Sequence, residues 1–251
     1  MKDYERIRSF IQSFEKDEED MLGEIYRDAV SRGVPVIRPD TKELLRLLLL
    51  MQKPKRILEI GTAVGFSALF MARVVQDTRI TTLELDPERV AEAEENIRRA
   101  GEDTRITVMQ GDAAALLMQM SVGFRVNEEE KNEKILRGFL EEPQDVGMRT
   151  DDELYDFVFI DAAKAQYGEY LTRVLPLVRK GAVIVSDNVL QDGSVLESHF
   201  LVEKRDRTIH DRMRDYLKRL TDTEGLVTSV LPVGDGVAVT FVEERTERNE
   251  E

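Results

Sequence analysis

The sequence predicts an α/β protein built on a doubly wound, Rossmann-like parallel sheet. From residue 56 onward, short and nearly continuous apolar runs alternate with segments of helical periodicity. Strands apolar on both faces belong to sheets covered by helices on both sides. The first such strand breaks at Gly61 and Gly65, where it hands over to a helix.

In chain order, the apolar positions of YERIRSFIQSF (4–14) recur at helical spacing, and RGVPVIRP (32–39) reads as an extended linker because its prolines restrict the residues before them. DTKELLRLLLLMQKP (40–54) restores a helix, with Asp40 or Thr41 as its cap and Pro54 as its stop. Strand RILEI (56–60) then precedes helix SALFMARVV (67–75), and ITTLEL (80–85) precedes PERVAEAEENIRRAG (87–101). ITVMQ (106–110) precedes AAALLMQM (113–120), DFVFID (156–161) precedes YLTRVLPLV (170–178), and AVIVSD (182–187) follows. A charged helix over 203–225 leads to the runs LVTSVLPVG and GVAVTFVEE, which meet at the turn-like GDG (234–236) and predict an antiparallel hairpin.

One polar segment, 121–154, is too long for an ordinary connection and reads as a surface excursion, a lid or a partly disordered insertion. The 251 residues, 41% hydrophobic with 7 prolines, suit a single domain over 1–251. Its parts are N-terminal helices over 1–53, the insertion over 121–154 and an acidic tail over 242–251.

The net charge of −14 argues against a broadly basic nucleic-acid binder but allows a local patch. Cysteine is absent, which excludes disulfides and thiolate metal sites. No apolar run reaches signal-peptide or membrane-span length, so the chain is expected to be soluble and cytoplasmic.

In a doubly wound sheet, ligands bind outside the carboxyl ends of the strands. Gly61 and Gly65 are expected to let the backbone approach a ligand there. Glu84, about 20 residues beyond the glycines at the second strand's end, sits where an acid grips ribose hydroxyls. The third strand ends in Gly111, Asp112 and Ala113, an acid placed for an adenine amino group. Two nucleoside cofactors compete, a dinucleotide and S-adenosylmethionine. The dinucleotide fingerprint G-x-G-x-x-G is not met, because Ala63 fills its middle position and Gly65 comes one residue early. Glu59 would repel a pyrophosphate and suits a sulfonium cation; its alternative role is a cap or ion-pair partner.

At the fourth and fifth strand ends, Asp161, Asp187 and Asn188 put two carboxylates and an amide oxygen over one rim, a hard donor set for magnesium, manganese or calcium. A cation there would lower the pKa of a substrate hydroxyl. Lys164, three residues after Asp161, is either a base for that hydroxyl or a surface lysine.

The segments ILEIGTAVGFSAL, LELDPERVAEAEENI, GDA, YDFVFIDAAKAQYGEYL, GAVIVSDNVL and PVGDGVAVT resemble, in order across residues 34 to 241, the metal-dependent class I O-methyltransferases that include the catechol and caffeoyl-CoA enzymes. FIDAAKAQY and PVGDG are most similar to the bacterial branch that contains a tRNA 5-hydroxyuridine methyltransferase. The resemblance implies a seven-stranded sheet with one antiparallel C-terminal strand, usually in a homodimer. It implies S-adenosylmethionine against Val36, Glu59, Gly61, Thr62, Gly65, Ser67, Glu84, Gly111, Asp112, Ala113 and Asp161. It also implies Mg2+ or another divalent cation on Asp161, Asp187 and Asn188, with Lys164 and Asp161 catalytic. Plant caffeoyl-CoA enzymes carry DAD where this chain has DAA, so Ala163 removes an acid from the plant pattern.

The expected substrate is 5-hydroxyuridine in tRNA, giving 5-methoxyuridine, and the alternative is a small catechol-like or other hydroxylated aromatic. Lys204, Arg205, Arg207, Arg212 and Arg214 form a basic excess that would hold RNA phosphates, or else pair with the interspersed acids along an exposed helix. His199 and His210 are expected at the surface or beside the substrate rather than on a metal, because oxygen ligands suffice. A nucleoside-binding regulator without turnover is the third reading, and Asp161, Lys164, Asp187 and Asn188 together speak against it.

Overall fold

Pairing of apolar strands with amphipathic helices gives the expected layers. The computed structural model describes residues 20–121, 151–200 and 202–244, together with residues 6, 9–11, 13 and 14. Most of the 4–14 helix, the body of the 121–154 insertion and the tail after 244 lie outside the described residues.

The elements run α1 (Met21–Ser31), α2 (Pro39–Gln52), β1 (Arg56–Ile60), α3 (Phe66–Val74), β2 (Arg79–Glu84), α4 (Pro87–Arg99), β3 (Ile106–Gln110) and α5 (Ala113–Ser121). They continue with β4 (Tyr155–Ile160), α6 (Tyr167–Val174), β5 (Val178–Ser186), α7 (Arg207–Asp222), β6 (Leu226–Leu231) and β7 (Val237–Val242). The sheet order is β3-β2-β1-β4-β5-β7-β6. The first five strands pair in parallel, and β7 enters antiparallel between β5 and β6. The order reverses between β1 and β4, and their carboxyl ends form the switch point at which such sheets bind ligands.

Period-two alternation divides the core. Leu58, Ile60, Val158, Ile160 and Ile184 point into one layer with α5, α6 and α7, where Tyr167, Leu171, Met213, Tyr216 and Leu220 are buried. Ile57, Phe157, Phe159, Val183 and Val185 point into the other, with Leu45 and Leu49 of α2 and Phe66, Phe70 and Met71 of α3.

Two local expectations change. Arg38, not Asp40 or Thr41, is the N-cap of α2, and no side chain caps it; Asp40 Oδ2 instead accepts from the Gly234 N–H at 3.0 Å. Helix α1 falls in a stretch whose charges hide its pattern. Its signals were the Asp20 cap, which accepts from the Leu22 N–H at 3.1 Å, and buried Leu22, Ile25 and Ala29 at helical spacing. No helix among the described residues is long and apolar enough to cross a membrane.

Candidate functional site

The parallel ladders carry two acids to adjacent positions. Asp161 N–H donates to the Ile60 carbonyl at 3.0 Å and Asp187 N–H to the Ile160 carbonyl at 2.9 Å, each one residue past its strand. Asn188 follows at φ 57°, a left-handed conformation that asparagine tolerates. Its Nδ2 donates to Asp161 Oδ1 at 3.0 Å, leaving the amide oxygen as the atom able to act as a ligand. Asp187 Oδ1 accepts from the Asn188 N–H at 2.7 Å and from the Thr41 hydroxyl of α2 at 3.4 Å. Asp187 is only 1% exposed, and its buried Oδ2 has no hydrogen-bond partner.

Burial pushes the Asp187 carboxyl up to about 7; the charge of Asp161 adds to the rise, while the Asn188 N–H, Lys164 and Thr41 oppose it. Burial also raises Asp161, against the charge of Lys164 and the Asn188 hydrogen bond. Two acids that repel one another, with one oxygen orphaned, form a site short of positive charge. The donors are all oxygens, so a hard divalent cation fits them.

Surrounding residues hold this geometry. The buried Tyr167 hydroxyl lies 3.0 Å from the Asp187 carbonyl and 3.3 Å from that of Ile160, tying α6 to both strand ends. The Tyr216 hydroxyl lies 2.5 Å from Ser186 Oγ, and its ring packs edge-on against Tyr167. The PVGDG turn clamps the other side: Val189 and Leu190 N–H groups donate to Gly236 and Asp235 carbonyls, both at 2.9 Å. A Cβ on Gly236 (φ +85°) would come within 2.2 Å of Leu190, which explains the glycine.

On the β1–β2 side, Glu59 is fully buried. Its Oε2 accepts from Thr82 Oγ1 at 2.5 Å, and Thr62 Oγ1 lies 2.6 Å from the same hydroxyl. Burial pushes its carboxyl up to about 7; the Ser67 and Thr82 hydroxyls oppose this, and Asp161 and Glu84 reinforce it. Ser67 bears on this carboxylate without giving Oε1 a hydrogen bond of good geometry, so Oε1 remains unpartnered. Glu84 is fixed by three backbone donors, Ala63 N–H to Oε2 at 2.8 Å and Leu85 and Asp86 N–H to Oε1 at 2.9 and 3.0 Å. Ala63 stands at φ +46°, an uncommon conformation for alanine that Glu84 helps to hold.

The glycines have roles within the fold itself. A Cβ on Gly61 (φ +100°) would lie 2.2 Å from the Asp161 carbonyl oxygen, so its missing side chain admits the backbone just after β4. Gly65 caps α3 and faces Ala93 of α4. Asp112 Oδ1 accepts from the Ala115 N–H at 2.9 Å as a helix-start cap, with Gly111 before it and Ala113 opening α5. Val36 is half-buried against the α2–α3 layer.

The basic stretch is largely committed within the fold. Arg212 donates to the Ala165 carbonyl at 3.2 Å, Arg214 to that of Val195 at 2.9 Å and Arg207 to that of Val202 at 3.0 Å. Arg205 lies 3.1 Å from Glu203 and 3.4 Å from Asp206. Lys204 is exposed. Of these five, Arg205 is ion-paired, while Arg207, Arg212 and Arg214 are held by backbone carbonyls, which neither expectation named.

Sequence reasoning missed Thr41 and Tyr167 as supports of the site. Both are separated from Asp187 along the chain, and only the packing of α2 and α6 reveals them; the proximity of Tyr167 to Lys164 was the one available hint. A separate cleft of about 660 Å3, lined by Asp20, Arg73 and Arg105 among others, contains none of these residues. It opens beside Arg105, just before β3, at the opposite end of the strands.

The chain is similar to known proteins over most of its length. The family model described as O-methyltransferase matches residues 12–130 and 140–242. A catechol O-methyltransferase of Niastella koreensis is 32% identical over 199 residues, covering 78% of each chain. A caffeoyl-CoA O-methyltransferase of Medicago sativa is 29% identical over 202 residues, covering 80% of this chain and 72% of that one. The crystal structure of an O-methyltransferase from Bacillus cereus in complex with SAH superposes with a TM-score of 0.72 at 25% identity, covering 94% of this chain and 97% of the other. With most of its length matched by the family model, the chain belongs to the O-methyltransferase family of enzymes.

Proposed function

We propose that this enzyme transfers the methyl group of S-adenosylmethionine to a hydroxyl of a small catechol-like aromatic, with Mg2+ or a similar divalent cation held by Asp161, Asp187 and Asn188. The buried, unpartnered Oδ2 of Asp187 carries the reading, because burial of a carboxylate oxygen without a partner costs free energy that a bound cation offsets. When bound, the cation supplies positive charge that lowers a hydroxyl pKa, and S-adenosylmethionine supplies an electrophilic methyl group.

The chain's own residues do the rest. Asn188 keeps Asp161 oriented through the 3.0 Å bond, and Thr41 and Tyr167 fix Asp187. Lys164 stands close enough to bear on both acids, and its Nζ, as the neutral amine, would take the hydroxyl proton and become the ammonium beside them. Glu84, preset by three N–H donors, accepts from ribose hydroxyls through its remaining lone pairs. Asp112, Gly111, Ala113, Thr62, Ser67 and Val36 complete the nucleoside wall. Glu59 faces the positive end of the cofactor, whose charge would join the Ser67 and Thr82 hydroxyls in favouring its ionisation against burial.

The catechol and caffeoyl-CoA relatives support a small aromatic substrate. Methylation of tRNA 5-hydroxyuridine lacks comparable support: Arg207, Arg212 and Arg214 hold backbone carbonyls, and the net charge is −14. A cytoplasmic homodimer completes the reading, on composition and family resemblance alone. Labelled S-adenosylmethionine offered with catechol, and separately with tRNA carrying 5-hydroxyuridine, tests the substrate. Mg2+-dependent label on catechol is expected; label on tRNA alone would reverse the assignment.

A further inference from the structure

The two histidines of the chain meet at one carboxylate. His199 Nδ1 lies 2.8 Å and His210 Nδ1 3.0 Å from the same Asp211 Oδ1, and one ligand atom from each of the three residues falls within 4.8 Å of the others. His199 stands in the β5–α7 connection, and His210 and Asp211 lie on α7. The cluster shares no residue with the Asp161–Asp187–Asn188 set.

We propose that His199, His210 and Asp211 form a second cation site, selective for a d-block divalent ion of the zinc type and distinct from the all-oxygen site at the strand ends. The placement of His210 carries the argument. Its Nε2 lies 3.1 Å from the Glu197 carbonyl oxygen, which only accepts, so Nε2 bears the hydrogen. In the neutral tautomer Nδ1 then directs a lone pair at a carboxylate oxygen, which also only accepts. Either a second proton or a metal ion resolves that conflict. His210 is 1% exposed, so an ion on its Nδ1 would be shielded from solvent on that side. A metal uses the geometry directly: an imidazole ligand commonly donates its other N–H to a carbonyl, fixing ring and tautomer, as His210 does to Glu197.

The distances fit. Ligands at about 2.0–2.1 Å from a tetrahedral ion stand about 3.3 Å apart, and the observed 2.8 and 3.0 Å need only small outward shifts. Two imidazoles and one carboxylate suit zinc, nickel or copper rather than magnesium, and three protein ligands leave a fourth position for water. The ion would fasten the connection that carries Leu196 and Phe200, 76% and 84% exposed, to α7.

The test titrates the full chain with Zn2+ alone in excess Mg2+, by calorimetry in two buffers of different ionisation enthalpy. One equivalent of Zn2+ should bind, and the difference between the two buffers reads any proton that the ligands release. His199→Ala and Asp211→Asn should each weaken that binding at least tenfold to a hundredfold, the loss found for outer-shell partners being a lower bound for ligands. Asp187→Asn should leave it in place, which separates this site from the one proposed for methyl transfer. His199 is partly exposed and Asp211→Asn nearly isosteric, so both variants are expected to fold, which circular dichroism checks. Absence of Zn2+ binding in excess Mg2+, or unchanged affinity in either variant, overturns the proposal.

Discussion

Asn188 and Asp161 are joined by a 3.0 Å hydrogen bond between the ends of neighbouring parallel strands, so the second residue after β5 orients the first residue after β4. Asn188→Asp would replace that donor with a third carboxylate beside two whose ionisation is already resisted. The variant is expected to lose about 1–3 kcal/mol of stability in EDTA, the cost of leaving a buried acceptor unpaired. Mg2+ should recover part of it. Urea unfolding with and without Mg2+ measures both, and equal stability of wild type and variant in EDTA would remove the bond from the site's architecture.

Tyr167 links the backbone of Ile160 and Asp187 through one hydroxyl. Tyr167→Phe keeps the ring contact with Tyr216 but removes the hydroxyl from the Asp187 carbonyl, while the Ile160 carbonyl keeps the Asp187 N–H, and is expected to cost about 1–2 kcal/mol. Because the hydroxyl positions Asp187, kcat should fall while the KM for S-adenosylmethionine holds. A variant with wild-type kcat would confine Tyr167 to the core.

Glu59 gives the apo enzyme a specific pH dependence. Its folded pKa, about 7, exceeds the reference value of 4.5, so the folded state binds the proton more tightly than the unfolded state does. The stability it contributes is complete below pH 4.5 and is lost as pH rises through 7, by an amount of order 3 kcal/mol. Glu59→Gln should flatten that decline while weakening S-adenosylmethionine. Chemical denaturation at pH 5 and pH 8 reads the difference, and parallel pH profiles for wild type and variant would contradict the shift.

Gly61→Ala combines an unfavourable φ of +100° with a Cβ 2.2 Å from the Asp161 carbonyl oxygen. The expected loss is about 2–4 kcal/mol from strain and overpacking together. Because the clash falls on β4 at Asp161, Mg2+ binding should weaken with stability. A loss below 1 kcal/mol would mean that β4 gives way freely.

The sheet was legible because its strands are apolar on both faces, and each predicted strand lies within a few residues of the observed one: DFVFID against Tyr155–Ile160, AVIVSD against Val178–Ser186. Asp161, Asp187 and Asn188 were legible for the same reason, since a polar residue directly after a buried parallel strand must emerge at the rim. What lay hidden depended on tertiary packing. Thr41 reaches Asp187 across 146 positions in sequence, and the tight face of Gly61 belongs to a neighbouring strand. The arginines of 203–214 read equally well as a phosphate-binding face, because a sequence does not display the carbonyls that occupy them.

The most direct measurement concerns the orphaned oxygen of Asp187. Mg2+ binding to wild type and Asp187→Asn, followed by calorimetry alongside S-adenosylmethionine binding, separates the cation site from the nucleoside site. Asp187→Asn is expected to weaken Mg2+ by about tenfold or more, about 1.4 kcal/mol per factor of ten, and to abolish Mg2+-dependent methyl transfer, with S-adenosylmethionine affinity changed less than about threefold. Unchanged Mg2+ affinity in Asp187→Asn, or methyl transfer that persists in EDTA, would contradict a cation held between Asp161, Asp187 and Asn188.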